Sequence, residues 1–305
     1  MTDKDAAVTA MITHLDGIAR RVSECAGDVG AIRAVIEDYS RLDEATRRVD
    51  ARTITSKEPA GEWVLADGAQ PEKRVLYVHG GSWMSGSADG YRPLAAQISR
   101  ESGCSVFVLD YRLAPEHPYP AGLEDCVAAW RWLSGNGPQS GSAARKQVIA
   151  GDSAGGNLAL ATALRLKDDG GRTPDAVVAL SPAVDLTWQS PSLRTRARVD
   201  PILRPDRLHL VSQVYVQDAE RMDHPWVSPL FGDFTGLPRS LIQVGDREVL
   251  LDDAKRIAGR MKEQGVDVEL QVYEGMPHVF QLFAPTVAAS TDAVERIGGF
   301  VRSAG

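Results

Sequence analysis

Six residues, Gly151-Asp152-Ser153-Ala154-Gly155-Gly156, place a serine between glycines two positions to either side of it. Lys146-Gln147-Val148-Ile149-Ala150 before them is of strand type, and the Ala/Leu-rich run Asn157 to Leu164 after them is of helix type. A serine on a sharp strand-to-helix turn can present its hydroxyl as a nucleophile. Such a turn is strained, side chains at its flanks would crowd it, and the hydroxyl ends up at the positive end of the following helix. The plain alternative is a Gly-rich turn with an incidental serine. A serine hydroxyl attacks poorly until a base removes its proton. The chemistry therefore also requires a histidine, an acid to fix that histidine's tautomer, and amide donors for a developing oxyanion.

The remaining elements must bring those groups to Ser153. Residues 1 to about 48 read as charged helices, one over Ala6 to Val22 and one over Val29 to Tyr39, that pack onto something formed later. Val49 to Thr55 and Glu62 to Leu65 read as strands joined by a turn near Pro59 and Gly61. Short apolar strands follow at Arg74 to Val78, Ser105 to Leu109, Lys146 to Ala150, Ala176 to Leu180, Ser240 to Val244 and Asp267 to Tyr273, with helical runs between them. Short, wholly apolar strands alternating with helices predict a mostly parallel sheet covered on both faces. The stretch from about Ala183 to Leu237 is too long for a simple crossover and reads as an insertion after the sixth strand.

In a parallel sheet the loops that follow strand carboxyl ends share one edge. His278 lies in such a loop, Glu274 to Phe280, after the last strand, which makes it the expected base. His14, His79, His117, His209 and His224 lie in the first helix, a Gly-rich turn, loops or the insertion. Asp246 follows its strand through Gly245 and is the expected acid; Glu248, Asp252 and Asp253 fit the loop and first turn of the next helix, where acids suit the helix dipole. The order Ser153, Asp246, His278 is that of α/β-hydrolase triads. Gly80 and Gly81, after an early strand, and the N–H of Ala154, just past the serine, are the expected oxyanion donors.

The totals fit this reading. A chain of 305 residues with 43% hydrophobic and 25% charged residues has ample core material for a single α/β domain. A net charge of −7 argues against nucleic acid and anionic membrane as partners. Cys25, Cys104 and Cys126 are scattered and form no metal or disulfide pattern, so they read as small buried hydrophobes in a reducing compartment. The start of the chain lacks a signal-peptide pattern and no apolar run reaches membrane-spanning length, which points to the cytoplasm.

Taken together, His79-Gly80-Gly81-Ser82-Trp83, Asp110 to Glu116, Gly151 to Gly156, Ser181-Pro182, Ser228-Pro229-Leu230, Gly245-Asp246 and Pro277-His278 resemble the hormone-sensitive-lipase-like carboxylesterases, the bacterial group with an HGGG motif and a GDSAGG elbow. The resemblance implies an α/β-hydrolase fold whose core is residues 49–182 and 238–305, with a helical cap from residues 1–48 and 183–237. It implies hydrolysis of small, mainly short-acyl esters without cofactor or metal, and a homodimer formed through the last strand and helix. It carries over the donors Gly80 and Gly81, while Ser82 replaces the motif's third glycine. Asp110 to Glu116 is expected to brace the loop edge, and Asp152 to support rather than react. Trp83, Trp188, Tyr215 and Phe280, with Trp226 and Phe231, are the expected pocket-lining aromatics. A lactonase, amidase or deacetylase would use the same site, whereas a non-catalytic small-molecule receptor would be expected to lack a triad member.

Overall fold

The computed structural model describes residues 3–139 and 141–304. Helices α1 (Asp3–Glu24), α2 (Val29–Ile36) and α3 (Glu44–Arg47) precede a hairpin of β1 (Arg52–Lys57) and β2 (Ala60–Leu65). Next come β3 (Gln70–Val78), α4 (Ala88–Ser102), β4 (Cys104–Leu109), α5 (Ala121–Leu133), β5 (Lys146–Asp152), α6 (Ser153–Asp168) and β6 (Ala176–Leu180). The insertion carries α7 (Ser192–Thr195) and α8 (Pro205–Val216), and the chain closes with β7 (Ser240–Gly245), α9 (Leu251–Glu263), β8 (Val268–Tyr273) and α10 (Ala288–Ser303).

The strands form one eight-stranded sheet in the order β1-β2-β4-β3-β5-β6-β7-β8. β1 and β2 are antiparallel to each other, β2 is antiparallel to β4, and every other pairing is parallel. The apolar runs explain this: β4, β6 and β7 are buried along their whole length, so both sheet faces must be covered. Successive residues point to opposite faces. Leu76, Ile149 and Ile242 pack with Trp130, Leu158 and Ile257 from α5, α6 and α9. Val75, Tyr77 and Val148 pack on the other face with Leu94 and Ile98 of α4, Val294 and Ile297 of α10, and Met11 and Leu15 of α1.

Both irregular segments are pinned to this frame. Asn157 Nδ2 on α6 donates to the carbonyls of Ala183 and Val227, both at 2.8 Å. The buried carboxylate of Asp253 on α9 accepts from the amides of Val184 and Asp185 and from the Ser190 hydroxyl. In the N-terminal segment, Arg33 of α2 grips both carboxylate oxygens of Glu116 and the carbonyls of Met84 and Ala114. The run Asp110 to Glu116 thus braces the loop edge, with Asp110 also accepting from the first amide of α4 at 2.7 Å.

Some details differ from the sequence reading. The helix expected to reach Tyr39 ends at Ile36, because the chain tightens into turns, with Asp38 N–H bonding Val35 O and Tyr39 N–H bonding Ile36 O. The first strand runs Arg52–Lys57 rather than from Val49 to Thr55. Cys104 and Cys126 are buried, but Cys25 is half-exposed at the end of α1. No helix among the described residues is long and apolar enough to cross a membrane.

The α4–α10 crossing is tight: a Cβ on Gly298 would fall 2.4 Å from Glu101 Cβ. Gly298→Leu is expected to destabilise the fold by about 1–3 kcal/mol through overpacking, measured by urea unfolding, with the activity of the folded fraction kept.

Candidate active site

β3, β5, β7 and β8 are parallel, so the loops leaving their carboxyl ends meet at one edge of the sheet. Ser153 opens α6 with φ of +52°, a left-handed backbone that costs about 1–3 kcal/mol for a non-glycine residue. The glycines beside it are required by close backbone approach. A Cβ on Gly155 would sit 2.0 Å from Val78 O, and one on Gly151 2.3 Å from Gly155 O. The elbow is thereby wedged against β3, and Ser153 lines a cleft of about 80 Å³.

His278 arrives from the β8 loop, as the sequence predicts. Its Nε2 lies 2.9 Å from Ser153 Oγ, and its Nδ1–H donates to Glu248 Oε2 at 2.7 Å. The acid beside the histidine is therefore Glu248 rather than Asp246. The reason lies in the strand end: Asp246 still pairs in the ladder, its N–H bonding Tyr273 O at 3.0 Å, and its carboxylate accepts from Gly275 N–H at 2.7 Å. Two further residues are needed to bring a carboxylate beneath the imidazole. Glu248 is fully buried, and its Oε1 accepts from Ser181 Oγ–H at 2.7 Å and Gly245 N–H at 2.8 Å. Ser181 Oγ in turn accepts from Val279 N–H at 3.2 Å, tying the histidine loop to the acid. The signal for Glu248 is its place directly before the apolar run Val249-Leu250-Leu251, which Asp246, Asp252 and Asp253 do not share.

The donor set also shifts by one residue. Gly80 N–H is committed to Asp152 Oδ1 at 3.0 Å and Tyr91 OH at 3.2 Å, so it is not available to an oxyanion. The amides of Gly81 and Ser82 have no acceptor among the described residues, and both residues line the cleft. Ala154, in the first turn of α6, has an amide with no helical carbonyl to pair with. The available donors are Gly81, Ser82 and Ala154. Ser82 and Trp83 hold φ of +58° and +57°, so the serine that replaces the motif's third glycine carries backbone strain at a donor position.

Asp152 supports this loop. It takes the hydroxyls of Tyr77 and Tyr91 as well as Gly80 N–H. Burial pushes its carboxyl up to about 6, against the pull of those hydrogen bonds and of His278. For His278, burial pulls the imidazole down, but the charge and hydrogen bond of Glu248, with Asp200 and Asp152 beyond, outweigh it and leave its pKa above the usual histidine value.

The aromatics expected in the pocket lie elsewhere. Trp83 and Tyr215 are buried and stack on each other with centroids 4.6 Å apart. Trp188 is buried with its Nε1–H on Ser212 Oγ, and Phe280 packs against Tyr273 in the core. Trp226 lies against Arg165, and neither it nor Phe231 lines the cleft. The cleft walls are Ile36 and Tyr39 from the N-terminal segment, Ile202 and Leu203 from the insertion, and Tyr91 and Leu282 from the core. Tyr39, Ile202 and Leu203 lie in turns and loops without periodicity, so no sequence pattern marks them. Among the described residues no cluster of His, Cys, Asp and Glu could hold a metal.

The chain is similar to known proteins over most of its length. A family described as alpha/beta hydrolase fold matches residues 75–282. An esterase of Acinetobacter venetianus is 34% identical over 90% of this chain and 88% of its own length. An acetyl-hydrolase of Streptomyces hygroscopicus is 37% identical over 87% of this chain and 88% of its own. The crystal structure of an esterase from the bacterial hormone-sensitive lipase family superposes with a TM-score of 0.86 at 34% identity, covering 100% of this chain and 99% of that one.

Replacing Glu248 with Gln is expected to lower the His278 pKa by about one unit or more, since an ion at hydrogen-bond distance is lost. Asp246→Asn is expected to leave it in place. A proton NMR titration of the imidazole distinguishes the two.

Proposed function

The chain belongs to the alpha/beta-hydrolase-fold family and is a carboxylesterase of the hormone-sensitive-lipase-like group, and we propose that it cleaves small, short-acyl esters through an acyl-enzyme on Ser153. The observation that carries this reading is the continuous relay from Ser153 Oγ through His278 to the buried Glu248, opening on a cleft floored by free amides. His278 Nε2 takes the hydroxyl proton as Ser153 Oγ attacks the ester carbonyl. The carbonyl oxygen becomes an oxyanion held by the N–H groups of Gly81, Ser82 and Ala154. His278 returns the proton to the departing alkoxide, and the alcohol leaves. Water then gives its proton to His278 and attacks the acyl carbon. Collapse of the second tetrahedral intermediate frees the acid and restores Ser153. Glu248 stays ionised throughout and stabilises the imidazolium.

The short-acyl preference is supported by the modest cleft, closed on two sides by Ile36 and Tyr39 and by Ile202 and Leu203, and by the likeness to an acetyl-hydrolase. In this reading the N-terminal segment and the insertion serve as a cap. The free thiols of Cys104 and Cys126 suit a reducing, cytoplasmic setting. Edge strand β8, with Val272 exposed, is the surface through which two copies would pair.

Ser153→Ala is expected to lower kcat for a p-nitrophenyl acetate substrate by roughly four orders of magnitude or more while the fold is kept. Near wild-type turnover by the folded variant would remove Ser153 from the mechanism. Across a series from acetate to laurate, kcat/KM is expected to fall with chain length. His278 must be neutral to act as base and its pKa is raised, so activity is lost as pH falls through a value above about 6.5. A kcat/KM profile flat to well below that value would exclude this base.

A further inference from the structure

Two groups outside the relay bond to its backbone or to a residue beside it, one from each irregular segment. Tyr39, in the turns after α2, donates its hydroxyl to the backbone carbonyl of His278 at 2.7 Å. Its ring is half-buried and forms part of the cleft wall. The turn that carries it is fixed by His14 Nε2 at 3.1 Å from the carbonyls of both Asp38 and Tyr39, and by Arg21 and Arg41 on the Asp38 carboxylate. Burial, reinforced by the Asp200, Glu248 and Asp152 carboxylates, holds the phenol well above its ordinary pKa, so it remains a donor across the working pH range.

The second group is Asp200, in the insertion. It is 2% exposed and pairs with no cation among the described residues. A buried carboxylate without a counter-ion is costly unless hydrogen bonds satisfy it. Its partners are three backbone amides. Oδ1 accepts from Ile202 at 2.9 Å and Leu203 at 2.8 Å, both cleft-wall residues. Oδ2 accepts at 2.9 Å from Val249, the residue after Glu248. One side chain therefore couples the wall against which substrate packs to the backbone that carries the acid.

The two contacts converge. Tyr39 fixes the histidine loop, Asp200 fixes the acid loop, and the Glu248–His278 bond spans the gap between them. Hydrogen bonding between catalytic groups is sensitive to displacements well under 1 Å. We propose that Tyr39 and Asp200 are positioning residues that hold His278 and Glu248 in register, so that the acid–base pair is complete only when both the N-terminal segment and the insertion are seated on the sheet. This rests on the Ser153–His278–Glu248 reading above.

The test is a double-mutant cycle of Tyr39→Phe and Asp200→Asn in the full chain, assayed with p-nitrophenyl acetate beside Ser153→Ala. Tyr39→Phe keeps the cleft-lining ring and loses only the hydroxyl. Asp200→Asn places an amide donor against amide donors on one side or the other. Each single variant is expected to lower kcat about fivefold or more with KM within about twofold, and the double variant to lose less than the product of the two, because both act through one pair. Tyr39→Phe removes no charge in the working range, so an accompanying shift of its acidic limb to lower pH reports a weakened Glu248–His278 bond. If Asp200→Asn fails to fold, the kcat–KM split and limb shift of Tyr39→Phe decide alone. Folded variants with kcat within twofold of wild type, losses confined to KM, an unmoved limb, or losses that simply multiply would overturn the proposal. Failure of the relay itself would appear separately, as activity retained by Ser153→Ala.

Discussion

The hydrogen bond between Glu248 and His278 organises this molecule. Both side chains are buried, and a buried carboxylate is tolerated only when its lone pairs are filled. The structure fills them from three places: His278 from the β8 loop, Ser181 from the end of β6, and Gly245 from the end of β7. Those groups converge because strand register places Leu180 opposite Gln243 and Gly245 opposite Tyr273. Leaving one member of a buried ion pair uncompensated costs about 3–5 kcal/mol, so sheet register and active-site chemistry constrain each other.

The loop proposed to hold the oxyanion shows the opposite economy. Ser82, Trp83 and Ser153 all occupy left-handed backbone that only glycine adopts freely. The strain persists because the loop is gripped on every side. Asp152 holds Gly80, Arg33 holds the Met84 carbonyl, and the Trp83 ring is clamped against Tyr215. Trp83 and Tyr215 therefore matter to the site without lining it.

The fold was readable because its signals are periodic and local: short apolar strands, a helix between most of them, and a long gap after the sixth. Ser153 and His278 were readable because topology alone places them at one edge. The errors share a cause. Asp246 and Gly80 are the first suitable residues after their strands, yet each is already engaged by a neighbouring element, Asp246 through its amide in the β7–β8 ladder and Gly80 by the side chains of Asp152 and Tyr91. How far a ladder persists past an apolar run is set by tertiary pairing, which one strand's sequence does not encode. The cleft wall was illegible for a related reason. Ile202, Leu203 and Tyr39 owe their positions to Asp200 and His14, whose partners lie across turns rather than along a period.

The bond from Tyr39 to His278 spans 239 positions of sequence. During synthesis, residues 3–47 are made long before the loop they rest on, and part of the core that Met11 and Leu15 of α1 join, including Phe283 and Val294, is made later still. Contacts of such separation form late and slow the approach to the native state. Closing a loop of that length costs chain entropy that the buried faces of α1 and α2 must offset, so the bond that ties Tyr39 to His278 depends on packing elsewhere in the N-terminal segment.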